Sequence, residues 1–230
     1  MVKAVLFDIG STLISPSPNI DGVFYEKAIQ RNHDITYEKV HSYMPYVDKY
    51  YEDEYLKDGD FWCSPEGSRE IYLDMYRYLA HLCGLEHDAQ SIAQLVYKAY
   101  LEAQYWRVYG DVHSCLKTLK KRHIQLGVVS NWSSNLQNLL RSLNLMPYFD
   151  EVVASADVGY RKPDPMIFTL TLERMKLNPN DVIHVGDRVD ADGEGARAAG
   201  IEAIIIDRHK LGECDDYQYI NSLDELPALI

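Results

Sequence analysis

A chain of 230 residues with an ordinary apolar share of 47% has material for a core domain carrying an inserted lobe. Its formal net charge of -12 and lack of a Lys/Arg cluster argue against nucleic acid and anionic membrane surfaces as partners. No stretch has membrane-spanning length, no basic segment leads into a long apolar run, and the four cysteines (Cys63, Cys83, Cys115, Cys214) form no C-x-x-C pair. Free thiols in a reducing cytoplasm, with neither leader nor anchor, are the expectation.

The apolar run Val2 to Phe7 ends at Asp8-Ile9-Gly10-Ser11-Thr12 and reads as a buried strand with a carboxylate at its C-terminal tip. In open α/β sheets that tip is where ligands bind. Ser15-Pro16-Ser17-Pro18-Asn19 then breaks regular structure. From about Gly22 to Trp106 the spacing turns helical, as in Ile71, Met75, Tyr78, Leu79 and Leu82, and fourteen of the eighteen tyrosines fall between Tyr25 and Tyr109. Breaks are expected at Asp58-Gly59-Asp60, at Ser64-Pro65 and near Gly84. At helical spacing these tyrosines read as amphipathic core, and His33, His41, His81 and His87 lack metal-type spacing.

After Tyr109-Gly110-Asp111 helical and strand-like pieces alternate, which implies a parallel sheet. A helix near Val112 to Arg122 precedes a strand Ile124 to Ser130. Ser134-Asn135-Leu136-Gln137 has capping-box form for a helix to about Leu143. Further strands are expected at Glu151 to Ala154, Val182 to Val185 and Ile201 to Ile206. Asp164-Pro165 should open a helix through Lys176, and Gly200 should end one running from about Asp192 to Ala199. His184, inside a strand, reads as a packed core histidine.

Four stretches, Asp8-Ile9-Gly10-Ser11-Thr12-Leu13, Val129-Ser130-Asn131, Arg161-Lys162-Pro163-Asp164-Pro165 and Gly186-Asp187 with Asp192, resemble in order and spacing the motifs of the haloacid dehalogenase-like (HAD) hydrolase superfamily. The run Gly195-Ala196-Arg197-Ala198-Ala199-Gly200 is similar as well, and within the superfamily the chain resembles the uncharacterised HAD-like hydrolases and the phosphoglycolate-phosphatase relatives. The resemblance implies a Rossmann-like α/β core, over 1–14 and 109–230, with a central parallel sheet of about five strands flanked by helices, and a helical cap inserted at 15–108. It implies that Asp8 is the nucleophile and that Asp8, the Gly10 carbonyl, Asp187 and Asp192 form a Mg²⁺ site. Lys162 would pair with Asp8 and the phosphoryl group, and Ser130 and Asn131 would bind phosphoryl oxygens.

Family phosphatases carry a second Asp two residues after the nucleophile, as general acid and base; here that position is Gly10. The implied activity is hydrolysis of a small phosphorylated metabolite, weakened by the missing acid. A 2-haloacid dehalogenase and a non-catalytic binder of a phosphorylated ligand or partner are the alternatives. The segment Ser15 to Val108 holds sixteen acids against nine Lys/Arg, which disfavours highly anionic substrates. Arg188 would contact substrate or pair outward.

Overall fold

The computed structural model describes residues 2–57, 59–208, 212 and 216–230. Two compact units make up the chain, one of residues 1–15 and 108–230 and the other of residues 16–107.

The first unit is built on a six-stranded parallel sheet. Its strands are β1 (Ala4–Phe7), β4 (Gln125–Ser130), β5 (Glu151–Ala154), β6 (Val182–Gly186), β7 (Glu202–Ile206) and β8 (Gln218–Ile220), in the order β5-β4-β1-β6-β7-β8. The short strands β2 (Ile14–Pro16) and β3 (Trp106–Val108) pair in a separate two-stranded sheet. β1 is buried at every residue and β4 at all but its first, as strands covered on both faces must be. β1 sits between β4 and β6, with Phe7 opposite both Val128 and Val185. That register brings the segments after β1, β4 and β6 out at one edge of the sheet. Helix Pro165–Met175 packs its Ile167, Phe168 and Leu172 with Leu6, Val129 and Val153.

Three local expectations change. β8 adds a sixth strand; Gln-Tyr-Ile is too short to carry a period-2 pattern. The helix after β4 spans Leu136–Ser142 with Asn135, not Ser134, at its N-cap, and Asn135 makes no side-chain cap but accepts from Ser133 Oγ at 2.6 Å, so the expected capping box does not open it. The helix expected from Asp192 divides into a π-helical turn, Val189–Glu194, and a short α-helix, Gly195–Ala198. The Arg188 carbonyl accepts from both Asp192 N–H (2.8 Å) and Gly193 N–H (3.2 Å), which widens the turn. Asp164 does cap its helix, accepting from Met166 N–H at 2.8 Å.

The second unit holds helices Ile20–Gln30, Tyr37–Ser42, Met44–Lys57, Pro65–Leu82 and Ala89–Ala99. Ser64 Oγ accepts from Gly67 N–H at 3.0 Å to start the longest of them, and Gly84 follows it with φ +78°, where a side chain would be strained. Val23, Phe24, Leu73, Tyr76, Leu79 and Ile92 are central to its core. Among the described residues no helix is long and apolar enough to cross a membrane. Cys83 and Cys115 are buried free thiols, and Cys214 and Asp58 lie outside the described residues.

Candidate active site

Asp8 directly follows β1, Ser130 ends β4 and Asp187 follows β6, so sheet register alone makes them neighbours. Lys162 comes from the segment between helices Ser155–Val158 and Pro165–Met175. Its Nζ donates to Asp8 Oδ1 at 2.5 Å and to Asp192 Oδ1 at 2.6 Å, with only 2% of the side chain exposed. Ser130 Oγ donates to the same Asp8 Oδ1 at 2.9 Å. The lysine is held at its backbone by Asn131, whose Oδ1 accepts from Lys162 N–H (2.7 Å) and whose Nδ2 donates to the Lys162 carbonyl (2.9 Å). Asn131's side chain is thereby tied to the Lys162 backbone.

Asp192 is the most heavily bonded acid of the cluster. Its Oδ1 accepts from Lys162 and from His184 Nε2 (2.8 Å), and its Oδ2 from Arg188 N–H (3.0 Å). The widened turn points this carboxylate back against the Gly186 backbone, where a Cβ would overlap the Asp192 carboxylate itself. Gly186 is therefore required by close approach, not by its own φ. Arg188 turns to Asp190, Nε and Nη2 lying 3.0 and 2.9 Å from the two carboxylate oxygens.

One carboxylate oxygen each from Asp8, Asp187 and Asp192 lie within 4.8 Å of one another. Three acids thus share Lys162, and their protonation reflects it. Burial pushes Asp8 above its ordinary value; Lys162 offsets part of this and the Asp192 charge adds to it. Asp187 is driven well above 3.8, first by burial and then by the charges of Asp8 and Asp192. For Asp192 burial is outweighed by Lys162 and by the His184 hydrogen bond, so it stays ionised. Burial would lower Lys162, but the charges of Asp192 and Asp8 raise it. Negative charge in excess of the lysine, on hard oxygen donors, is the chemistry a divalent cation such as Mg²⁺ fits. The Gly10 carbonyl accepts from Thr12 N–H at 2.6 Å and keeps a second lone pair.

No side chain acts at position 10. Within 4 Å of where a Gly10 Cβ would stand, the described residues offer one atom, a ring carbon of Trp132 at 3.5 Å. His184 is packed edge-on against Phe168, ring centroids 4.9 Å apart, and also bonds Asp192. That second role has no sequence signal, since it depends on the turn that returns Asp192 to the strand.

The sequence profile of haloacid dehalogenase-like hydrolases matches residues 2–200. The chain belongs to that family. It is 33% identical over 142 residues to human haloacid dehalogenase-like hydrolase domain-containing protein 3, an alignment covering 60% of this chain and 56% of the relative. It is 29% identical over 210 residues to ribulose-1,5-bisphosphate 5-phosphatase of Halopiger xanaduensis, covering 90% and 85% of the two chains. Among solved structures, the magnesium-bound putative HAD-hydrolase YfnB of Bacillus subtilis shares the fold, with TM-score 0.81 at 19% identity over 99% of this chain and 98% of that one. Four of the matched relatives, the domain-containing proteins 3 of cattle, zebrafish, human and mouse, are spanned over 56–63% of their own length.

Proposed function

We propose that this HAD hydrolase is a Mg²⁺-dependent phosphatase acting on a small phosphorylated metabolite through a phosphoaspartyl intermediate on Asp8. The observation that carries this reading is the Asp8 carboxylate at the central strand's tip, held by Lys162 and Ser130 and flanked by two further acids. The relatives named ribulose-1,5-bisphosphate 5-phosphatase and glyceraldehyde 3-phosphate phosphatase, each 29% identical over 90% and 91% of this chain, support a phosphate ester as the substrate class.

Asp8, Asp187 and the Gly10 carbonyl would hold the Mg²⁺, with Asp192 orienting the loop beside it. A bound Mg²⁺ supplies positive charge that offsets repulsion between carboxylate and phosphate and steadies the charge that builds on the transferring group. An Asp8 oxygen attacks phosphorus, the bond from phosphorus to the leaving oxygen breaks, and that oxygen departs with the electron pair. Water then attacks the phosphoaspartyl phosphorus, releasing phosphate and regenerating the carboxylate. Lys162 and Ser130 fix the Asp8 carboxylate through Oδ1 before substrate arrives, and Asn131 fixes Lys162. Asp192 and His184 hold the lysine's other side.

With glycine at position 10 no acid there protonates the leaving oxygen or activates the water. The missing group, of a kind typically worth about 10²–10⁴-fold, should be felt most with alkyl phosphates and least with acyl and aryl phosphates, whose leaving groups need little protonation. The three-acid cluster favours phosphorus over carbon as the atom attacked, since a halide displacement has no comparable anionic repulsion to offset. The helical unit of residues 16–107 is assigned the role of the cap that selects substrate, and the cytoplasm is the expected compartment. The test is hydrolysis of acetyl phosphate and p-nitrophenyl phosphate with and without Mg²⁺. Turnover that needs Mg²⁺ and disappears in Asp8→Asn supports the reading; chloride release from a 2-chloroacid in EDTA would replace it with the dehalogenase.

A further inference from the structure

The turn that follows Asp8 is held from outside by a residue beyond the stretch the family profile matches. Inside the turn, Thr12 N–H donates to the Gly10 carbonyl at 2.6 Å, Leu13 and Ile14 N–H donate to the Ile9 carbonyl at 2.9 and 3.1 Å, and Ser11 N–H donates to the Ile14 carbonyl at 2.8 Å. Ser11 takes φ +52°, the left-handed region that a residue with a Cβ adopts only when its surroundings impose it.

Two carbonyls of this turn point outward, and each meets a fixed donor. The Thr12 carbonyl accepts from Arg208 Nε at 2.9 Å and Nη2 at 2.7 Å, and the Leu13 carbonyl accepts from Tyr109 N–H at 3.1 Å. Arg208 is itself gripped on the other side. Its Nη1 and Nη2 lie 3.0 and 3.1 Å from the Asp111 oxygens, and its guanidinium carbon stands 3.9 Å over the Tyr109 ring. Asp111 also accepts from Ser222 Oγ and Leu223 N–H, both at 2.9 Å, which ties in the C-terminal segment. The Arg208 and Asp111 side chains are 9% and 10% exposed, so these bonds form away from competing water. A planar guanidinium serves two acceptors at once in fixed geometry; an ammonium on a flexible stem does not.

From this network we infer that Arg208 is a positioning residue for the active site: it fixes Thr12 by its carbonyl and so fixes the Thr12 N–H that orients the Gly10 carbonyl. The inference rests on the metal-site reading above, in which that carbonyl is a ligand. Freed of Arg208, Thr12 can turn about its own dihedrals, and the Gly10 oxygen loses its set direction. Outer partners of metal ligands of this kind typically govern affinity by about 10–100-fold.

The test compares wild type with Arg208→Met, Arg208→Lys and Asp111→Asn. Mg²⁺ affinity is read by titration calorimetry without substrate, thermal stability by circular dichroism, and amide exchange on the peptide covering residues 9–14. Arg208→Met should weaken Mg²⁺ about 10-fold at temperatures well below its unfolding, Arg208→Lys should fail to restore the affinity, and exchange in 9–14 should rise in both. Asp111→Asn, which keeps the cation but loosens it, should shift affinity in the same direction by less, and it serves with Arg208→Lys if Arg208→Met does not fold. Lowered stability with unchanged Mg²⁺ affinity would reduce Arg208 to a structural tie, and full rescue by lysine would show that charge and not geometry matters; either overturns the inference. If wild type binds no Mg²⁺, the metal-site reading fails on its own terms, and exchange then decides the brace: unchanged protection of 9–14 in Arg208→Lys refutes it.

Discussion

The most deeply buried carboxylate described in each unit is Asp192 in the α/β unit, at 1% exposure, and Asp21 in the helical unit, at 4%. Asp21 accepts from Gly22 N–H (2.8 Å), Tyr37 Oη (2.9 Å) and His41 Nδ1 (2.6 Å); the nearby Asp48 is raised by burial and then by the Asp21 charge, but its carboxylate shares none of these three donors. Burial would raise it, but the bonds from His41, Tyr37 and Gly22 together outweigh burial and hold it below 3.8. Asp192 is as well bonded, yet it shares Lys162 with Asp8 and stands beside Asp187, whose carboxyl is driven upward. The difference is between a buried charge that is satisfied locally and a cluster left with charge to spare. The first is architecture; the second is a demand for something from outside the chain, and such demands mark sites of chemistry.

Substitutions at the acid cluster and at Asp21 separate the two kinds of buried charge. Asp8→Asn should cut acetyl phosphate turnover by ~10³-fold or more while the circular dichroism spectrum stays that of the wild type. Lys162→Met removes the cation from a buried acid cluster and should cost about 3–5 kcal/mol in urea unfolding at neutral pH. A smaller loss would mean that the acids take up protons instead. Gly186→Ala forces a methyl into the Asp192 carboxylate and should cost about 1–3 kcal/mol, with the His184 and Lys162 contacts disturbed together. Asp21→Asn tests the satisfied site. Its lowered value means that its stabilisation is present above the ordinary 3.8 and is lost as pH falls through the folded-state value, so the variant should lack that part of the wild type's acid limb. At the small end, Lys49→Ala breaks an exposed pair with Asp53, four residues on at 2.9 Å, and should change stability by no more than about 0.5 kcal/mol.

Strand-end residues were readable because a parallel sheet delivers every strand's C-terminus to one edge. An apolar run followed by Asp8, Ser130 or Asp187 thus carries its own position in space. Lys162 was readable through its neighbours, since Asp164-Pro165 opens the next helix and fixes where the preceding segment must end. The family resemblance supplied their chemistry. What escaped the sequence depends on the path of a turn. The doubled acceptance at the Arg188 carbonyl, the return of Asp192 onto Gly186 and the bond to His184 are one event with no periodicity to announce it. Arg208 is likewise a lone charge beyond the last motif, and its meaning comes from a carbonyl 196 positions earlier in the chain.

In the proposed reaction Asp8 still attacks phosphorus while glycine at position 10 slows release. The most direct test is the intact mass of the protein after brief incubation with Mg²⁺ and acetyl phosphate, with Asp8→Asn alongside. One phosphoryl group accumulating on the wild type and absent from the variant is the predicted result. A wild-type protein that neither gains that mass nor consumes acetyl phosphate would contradict it.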